Sequence, residues 1–85
     1  MVDKEMVVVV VNGASTVVAY HGNPTLQELV EQALQQTQNS GQPVGNWELR
    51  LADGTLLPDL HEHLKKLNLP HDGQLFLNLR AGVGG

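Results

Sequence analysis

Hydrophobic and polar positions alternate along this chain in distinct rhythms, and each change of rhythm marks an element. Met6 to Val11 is an unbroken apolar run, a methionine followed by β-branched residues. β-Branched side chains favour an extended backbone, and a run without polar alternation predicts a central strand covered partly on both faces. Asn12-Gly13 follows, and both residues tolerate positive φ, so the pair predicts a tight hairpin. Ser15 to Tyr20 returns as a second strand, which His21-Gly22-Asn23-Pro24 breaks.

The rhythm then becomes helical. Thr25-Leu26-Gln27-Glu28 fits a capping box, with the Thr25 hydroxyl and the Glu28 carboxylate each serving a backbone amide of the first turn. Leu26, Leu29, Val30, Ala33 and Leu34 share one face, while Gln27, Glu28, Glu31, Gln32, Gln35 and Gln36 form the solvated one. Asn39-Ser40-Gly41 supplies the stop, and Pro43 prevents resumption.

Strand-like alternation resumes at Trp47-Glu48-Leu49-Arg50-Leu51, with Trp47, Leu49 and Leu51 on one face. Asp53-Gly54 turns the chain, Thr55-Leu56-Leu57 predicts a short edge strand, and Pro58 ends it. Leu60, Leu64 and Leu67 have roughly helical spacing in a short piece before Pro70. After His71-Asp72-Gly73 comes a last strand, with Leu75, Leu77 and Leu79 facing one way and Phe76, Asn78 and Arg80 the other.

The order is hairpin, helix, strand, short strand, short helix, strand. One amphipathic helix must cover one face of a mixed sheet. The final strand is expected beside the first and parallel to it. The expected fold class is therefore α+β: a β-grasp with one main helix on one face of a mixed sheet. The domain spans 1–80, and 81–85 form a flexible glycine-rich tail.

Composition narrows the partners. Eighty-five residues suit one small domain with little room for a deep cleft. The net charge of −4 argues against nucleic acid. No apolar run reaches membrane-spanning length, and Met1-Val2-Asp3-Lys4-Glu5 lacks the marks of a signal peptide. With no cysteine there is no thiolate nucleophile or disulfide frame, and a cytoplasmic location is expected.

The candidate chemistry sits at the end. Ala81-Gly82-Val83-Gly84-Gly85 follows directly on a core strand. A nearly side-chain-free tail can enter a tunnel too narrow for other residues. Extended, the stretch from Arg80 to Gly85 reaches roughly 20 Å. Its carboxylate on Gly85 is the expected reactive group.

These features together resemble the ubiquitin-like family over Met6 to Gly85. The likeness rests on the Asn12-Gly13 hairpin, the single capped helix, the Leu51-Ala52-Asp53-Gly54-Thr55-Leu56 turn and the Asp72-Gly73 strand before Gly-Gly. Trp47-Glu48-Leu49-Arg50 and Leu79-Arg80-Ala81-Gly82-Val83-Gly84-Gly85 look more closely like the bacterial ubiquitin-like modifiers. Those are encoded with an E1-like activating enzyme, an E2-like transfer enzyme and a JAB-type peptidase.

The resemblance implies that the Gly85 carboxylate is adenylated with ATP and passed through partner enzymes to target proteins. Gly84 and Gly85 are the implied conjugation residues. Arg80, Ala81, Gly82, Val83 and Phe76 are the implied enzyme-recognition positions. Arg80 is either a charge for an acidic patch on the activating enzyme or a solvated strand-end residue. Two other functions share this pattern. A sulfur carrier, as in thiamin or molybdopterin synthesis, would convert Gly85 to a thiocarboxylate. A non-conjugated interaction module would bind through the sheet. Val83 between the glycines and Ala81 after Arg80 depart from eukaryotic ubiquitin, and only Lys4, Lys65 and Lys66 could carry lysine-linked chains.

Phe76, on the face opposite the leucines, is expected to form a docking patch with outward valines of the first strand, the alternative being packing against a loop. His61, Glu62, His63 and His71 lack a metal-ligand frame, because His61 and His63 would diverge on a helix. Trp47 is expected to pack in the core or at its edge. No catalytic frame or cofactor motif is present, so the chain is expected not to be an enzyme and to need no cofactor.

Overall fold

The computed structural model describes residues 5–70 and 72–82. His71 and the tail residues Val83, Gly84 and Gly85 lie outside the described residues. β1 spans Glu5–Val11 and β2 spans Ala14–Tyr20. They form an antiparallel hairpin in which Val11 faces Ala14, so Asn12 and Gly13 are its two-residue turn. Both take positive φ, at 48° and 88°, the conformation that the Asn-Gly pair favours.

α1 spans Leu26–Gln36 and begins with the expected capping box at Thr25 and Glu28. The five apolar positions named from the sequence are the helix's buried residues. Its end differs from expectation. The helix stops before Asn39-Ser40-Gly41, and Gln38 takes the left-handed position at φ 61°. The Asn39 amide donates to the Leu34 carbonyl at 2.7 Å and the Gln38 amide to Gln35 at 3.2 Å. This is a Schellman closure with glutamine where glycine is preferred. Gln38→Gly should therefore raise stability by about 0.5–1 kcal/mol, the relief of left-handed crowding less the entropy cost of glycine. A urea melt checks this, and an unchanged or lower midpoint would contradict it.

β3 spans Trp47–Leu51 and follows a 3₁₀ turn at Val44–Asn46. β4 spans Gln74–Leu79. The sheet order is β2-β1-β4-β3, with β4 parallel to β1 and antiparallel to β3. The final strand thus lies beside and parallel to the first, as the sequence predicts. Val7, Val9, Val11, Val18, Trp47, Leu49, Leu75 and Leu77 from the sheet pack with the apolar face of α1 in one core.

Two short segments depart from expectation. Thr55-Leu56-Leu57 is no strand. It makes a single bridge, Leu56 with Arg50, flanked by bonds from Leu51 N to Thr55 O and from Leu57 N to Leu49 O. Pro58, which has no amide hydrogen to continue the ladder, follows at once. The predicted short helix through Leu60, Leu64 and Leu67 shrinks to a 3₁₀ turn at Leu64–Leu67. Its first half serves α1 instead. Glu62 O and Leu60 O accept the amides of Leu26 and Gln27 at 2.8 and 2.9 Å. Those are first-turn donors with no partner inside the helix, so the segment caps it from outside.

Trp47 is buried, as expected of a core packer, but its indole Nε1 has no hydrogen-bond partner. A buried orphan donor costs about 1–3 kcal/mol. Trp47→Phe removes that donor while leaving a smaller ring, so the two effects oppose. Its expected stability change is within about 1 kcal/mol, against about 3–5 for Trp47→Ala. Denaturation followed by far-ultraviolet circular dichroism checks the pair, and equal losses would show that the indole nitrogen is not a liability.

Candidate functional site

Two features of the sheet can carry function: the end of β4 and the face that α1 leaves open. β4 runs parallel to β1, so its C-terminal end lies beside the β1–β2 turn. The Asn12 amide donates to Leu77 O at 2.9 Å and ties that turn to the strand. On the other side Leu79 is paired with Trp47 at the start of β3. The last segment therefore leaves the sheet between the β1–β2 turn and the 3₁₀ turn at Val44–Asn46.

Arg80 is held at this exit. Its amide donates to Asn46 O at 2.8 Å, and its Nη1 donates to Gly45 O at 3.0 Å. The side chain remains exposed. Beyond it Ala81 and Gly82 form a turn, with Gly82 at φ 84°. The chain thus bends at the root of its tail, where simple extension from Arg80 was the expectation. The conjugation positions Gly84 and Gly85, and the recognition position Val83, lie outside the described residues.

The open face carries Phe76 near its middle. Phe76 is aligned with Val10 on β1 and Arg50 on β3, and it is half-buried between these neighbours. Val7, Val9 and Val11 point into the core, which fixes the phase of the valine run and leaves Val8 and Val10 on the open face. Met6 and Val17, 64% and 52% exposed, lie on the same face. Leu56, at 40%, borders it through its bridge to Arg50. Met6, Val17 and Leu56 were not singled out from sequence. For Met6 the missing signal was the strand's phase, which the alternation of Phe76 with the core leucines could have supplied by pairing.

Arg50 is not a free cation. It donates to Gly54 O at 2.9 Å and pairs with Glu48 at 3.2 Å. The neighbouring turn is fixed by Asp53, whose Oδ1 accepts the Thr55 amide at 2.9 Å. That backbone bond holds the Asp53 carboxyl below its ordinary pKa. At the opposite edge the Tyr20 hydroxyl donates to Glu5, and its pKa is raised by partial burial and then by that carboxylate.

His61 lies near Asp59 and Lys66 pairs with Glu62, and among the described residues no cluster of metal-ligating side chains forms. No polar or charged described residue is buried. A surface concavity is lined by Glu5, Met6, Tyr20, Lys65 and Pro70, at the end of the sheet opposite the tail exit. No described helix is long and apolar enough to cross a membrane.

This four-stranded mixed sheet with one helix is the fold of ubiquitin-like proteins. The ubiquitin-like domain of an Arabidopsis thaliana protein superposes with a TM-score of 0.74 at 17% identity, covering 99% of this chain and 85% of that one. A ubiquitin-like protein from Trypanosoma brucei gives 0.73 at 18% identity, covering 95% of this chain and 100% of that one. At these identities the likeness is one of fold. By sequence, the chain belongs to the family described as Protein of Unknown function (DUF2604), whose model matches residues 2–85. An uncharacterized protein of Sinorhizobium fredii (strain NBRC 101917 / NGR234), y4jI, is 42% identical over 79 residues, or 93% of this chain. The chain spans 60% of the length of that relative.

Proposed function

We propose that this chain is a ubiquitin-like protein modifier, conjugated through the carboxyl group of Gly85. The observation that carries the reading is the exit of β4. An inner strand with two buried leucines ends in an anchored Arg80, and Ala81-Gly82-Val83-Gly84-Gly85 follows it with Val83 as its one branched side chain. Such a segment suits a narrow enzymic tunnel.

A carboxylate is a poor acyl donor and needs activation. A Gly85 carboxylate oxygen attacks the α-phosphorus of ATP, the bond to the β-phosphate bridge breaks, and pyrophosphate leaves. A target amine then attacks the acyl carbon of the adenylate and AMP leaves, or an enzyme thiolate displaces AMP first to form a thioester and the amine then displaces the thiolate. By either route the amine loses a proton. An E1-like activating enzyme, an E2-like transfer enzyme and a JAB-type peptidase are the proposed partners, in the cytoplasm where ATP is available. They supply the catalytic groups, and this chain supplies the acyl group and the surface. The chemistry is the same whether the chain ends at Gly85 or a peptidase cuts behind it. The test is release of pyrophosphate from ATP by a cognate activating enzyme, which should depend on this chain.

The exposed apolar residues of the open face favour a second reading, a non-conjugated module that binds through the sheet. The two readings share one contact surface. Phe76→Ala should cost about 1–2 kcal/mol of stability, less than a core ring because part of its edge is uncovered, but should weaken binding to an activating or transfer enzyme severalfold. A loss of several kcal/mol would make Phe76 a core residue, and unaltered binding would remove it from the contact surface.

A further inference from the structure

From the sequence Arg80 is either a charge for an acidic patch on a partner or a solvated strand-end residue, yet its guanidinium is bonded to this chain. We infer that Arg80 is a positioning residue: it clamps the root of the C-terminal segment to the 3₁₀ turn at Val44–Asn46 and so sets where that segment leaves the body. The clamp has two points. The Arg80 amide extends the β3–β4 ladder by one bond to Asn46 O at 2.8 Å. The Nη1 atom reaches the adjacent carbonyl, Gly45 O, at 3.0 Å.

The receiving turn is itself braced. The Asn46 amide donates to Pro43 O at 2.9 Å, and Asn46 Nδ2 donates to Gln42 Oε1 at 2.9 Å. Trp47, the next residue, is buried and paired with Leu79. The two carbonyls that receive Arg80 are therefore fixed to the core. Gly82, at φ 84°, is the first position past the clamp where the backbone enters a region that glycine favours. The turn at Ala81 and Gly82 thus comes directly after the clamp, and the direction in which the chain reaches it is set at Arg80.

A guanidinium has five N–H donors, and Gly45 uses one. The others remain on an exposed side chain beside the tail root, open to a partner. A partner that takes the tail then meets the Pro43–Asn46 turn and this cation together, and an acidic side chain is the group that fits the cation. Arginine is suited to both duties because its planar fork loses less freedom per bond than a lysine stem does.

The importance of the clamp rests on the modifier reading, but the clamp is tested on the free chain. Backbone amide exchange and ¹⁵N heteronuclear NOE would be measured for wild type, Arg80→Ala and Arg80→Lys, with Gly45→Ala as a control. A Cβ at Gly45 would meet nothing within 4 Å, so the control keeps the carbonyl and should behave as wild type. In Arg80→Ala, exchange at residue 80, corrected for intrinsic rate, should quicken about two- to tenfold, and the NOE at Ala81 and Gly82 should fall. Arg80→Lys, which still carries a donor, should recover a substantial part of both. Equal order at Ala81 and Gly82 in wild type and Arg80→Ala would overturn the inference. So would a lysine variant as disordered as the alanine one, since the effect would then not come from the bond. Failure here leaves adenylation untouched, and failure of adenylation leaves these amide measurements untouched.

Discussion

Leu75→Ala is expected to lower the unfolding free energy by about 2–5 kcal/mol. Leu75 has no exposed surface. It lies on β4 between Val9 of β1 and Leu51 of β3, so it is flanked by strands on both sides and covered by the core on its inner face. Truncation removes its transfer energy and leaves a cavity that neighbours paired in a ladder cannot easily fill. A domain this small has a stability of only several kcal/mol, so much of the population would unfold near the upper end of that range. A urea melt measures it. A midpoint within error of wild type would show that Leu75 is not part of the core.

Deletion of Gly84 and Gly85 is expected to leave folding intact and to abolish adenylation. Glycine contributes no apolar side chain, so removing two of them forfeits almost no apolar burial. The reaction loses far more, because the new terminus falls short of the α-phosphate by about 7 Å of extended chain. Gly84→Val should also block activation while keeping the carboxylate, since it puts a branched side chain directly beside the reactive glycine, one position nearer the α-phosphate than Val83. Pyrophosphate release with a cognate activating enzyme checks both variants. Release at the wild-type rate by the deletion variant would remove the tail from the chemistry and leave the sheet-face module.

The sequence exposes the core and hides the contacts made at a distance. The helix face from Leu26 to Leu34 was legible because apolar spacing and the capping box agree on one helix start. The parallel placement of β4 beside β1 followed from the order of elements and the need to cover one sheet face. The short segments were misread for a physical reason. Leu60, Leu64 and Leu67 have helical spacing, but the carbonyls of Leu60 and Glu62 are claimed by the first amides of α1, a demand no local pattern reveals. Gln38 carries no glycine signal for the helix end, yet it takes the left-handed position, held there by the local Schellman bonds from Asn39 to Leu34 and from Gln38 to Gln35.

At the candidate site, Phe76 could be assigned to the open face from alternation alone. The clamp at Arg80 could not, because Gly45 is 35 residues away and offers only a backbone carbonyl. A residue that reads as a recognition charge is thus engaged with its own chain. Recognition at this end is therefore expected to involve the Pro43–Asn46 turn as well as the tail.

Covalent joining of Gly85 to a target amine is tested most directly by intact mass spectrometry, after incubation with a cognate activating enzyme, transfer enzyme, ATP and a purified acceptor protein. The expected product has the summed mass of this chain and the acceptor less one water, with the bond mapped to Gly85. A chain that returns at its original mass, or with one oxygen of its terminal carboxylate exchanged for sulfur and no acceptor attached, would contradict the modifier role.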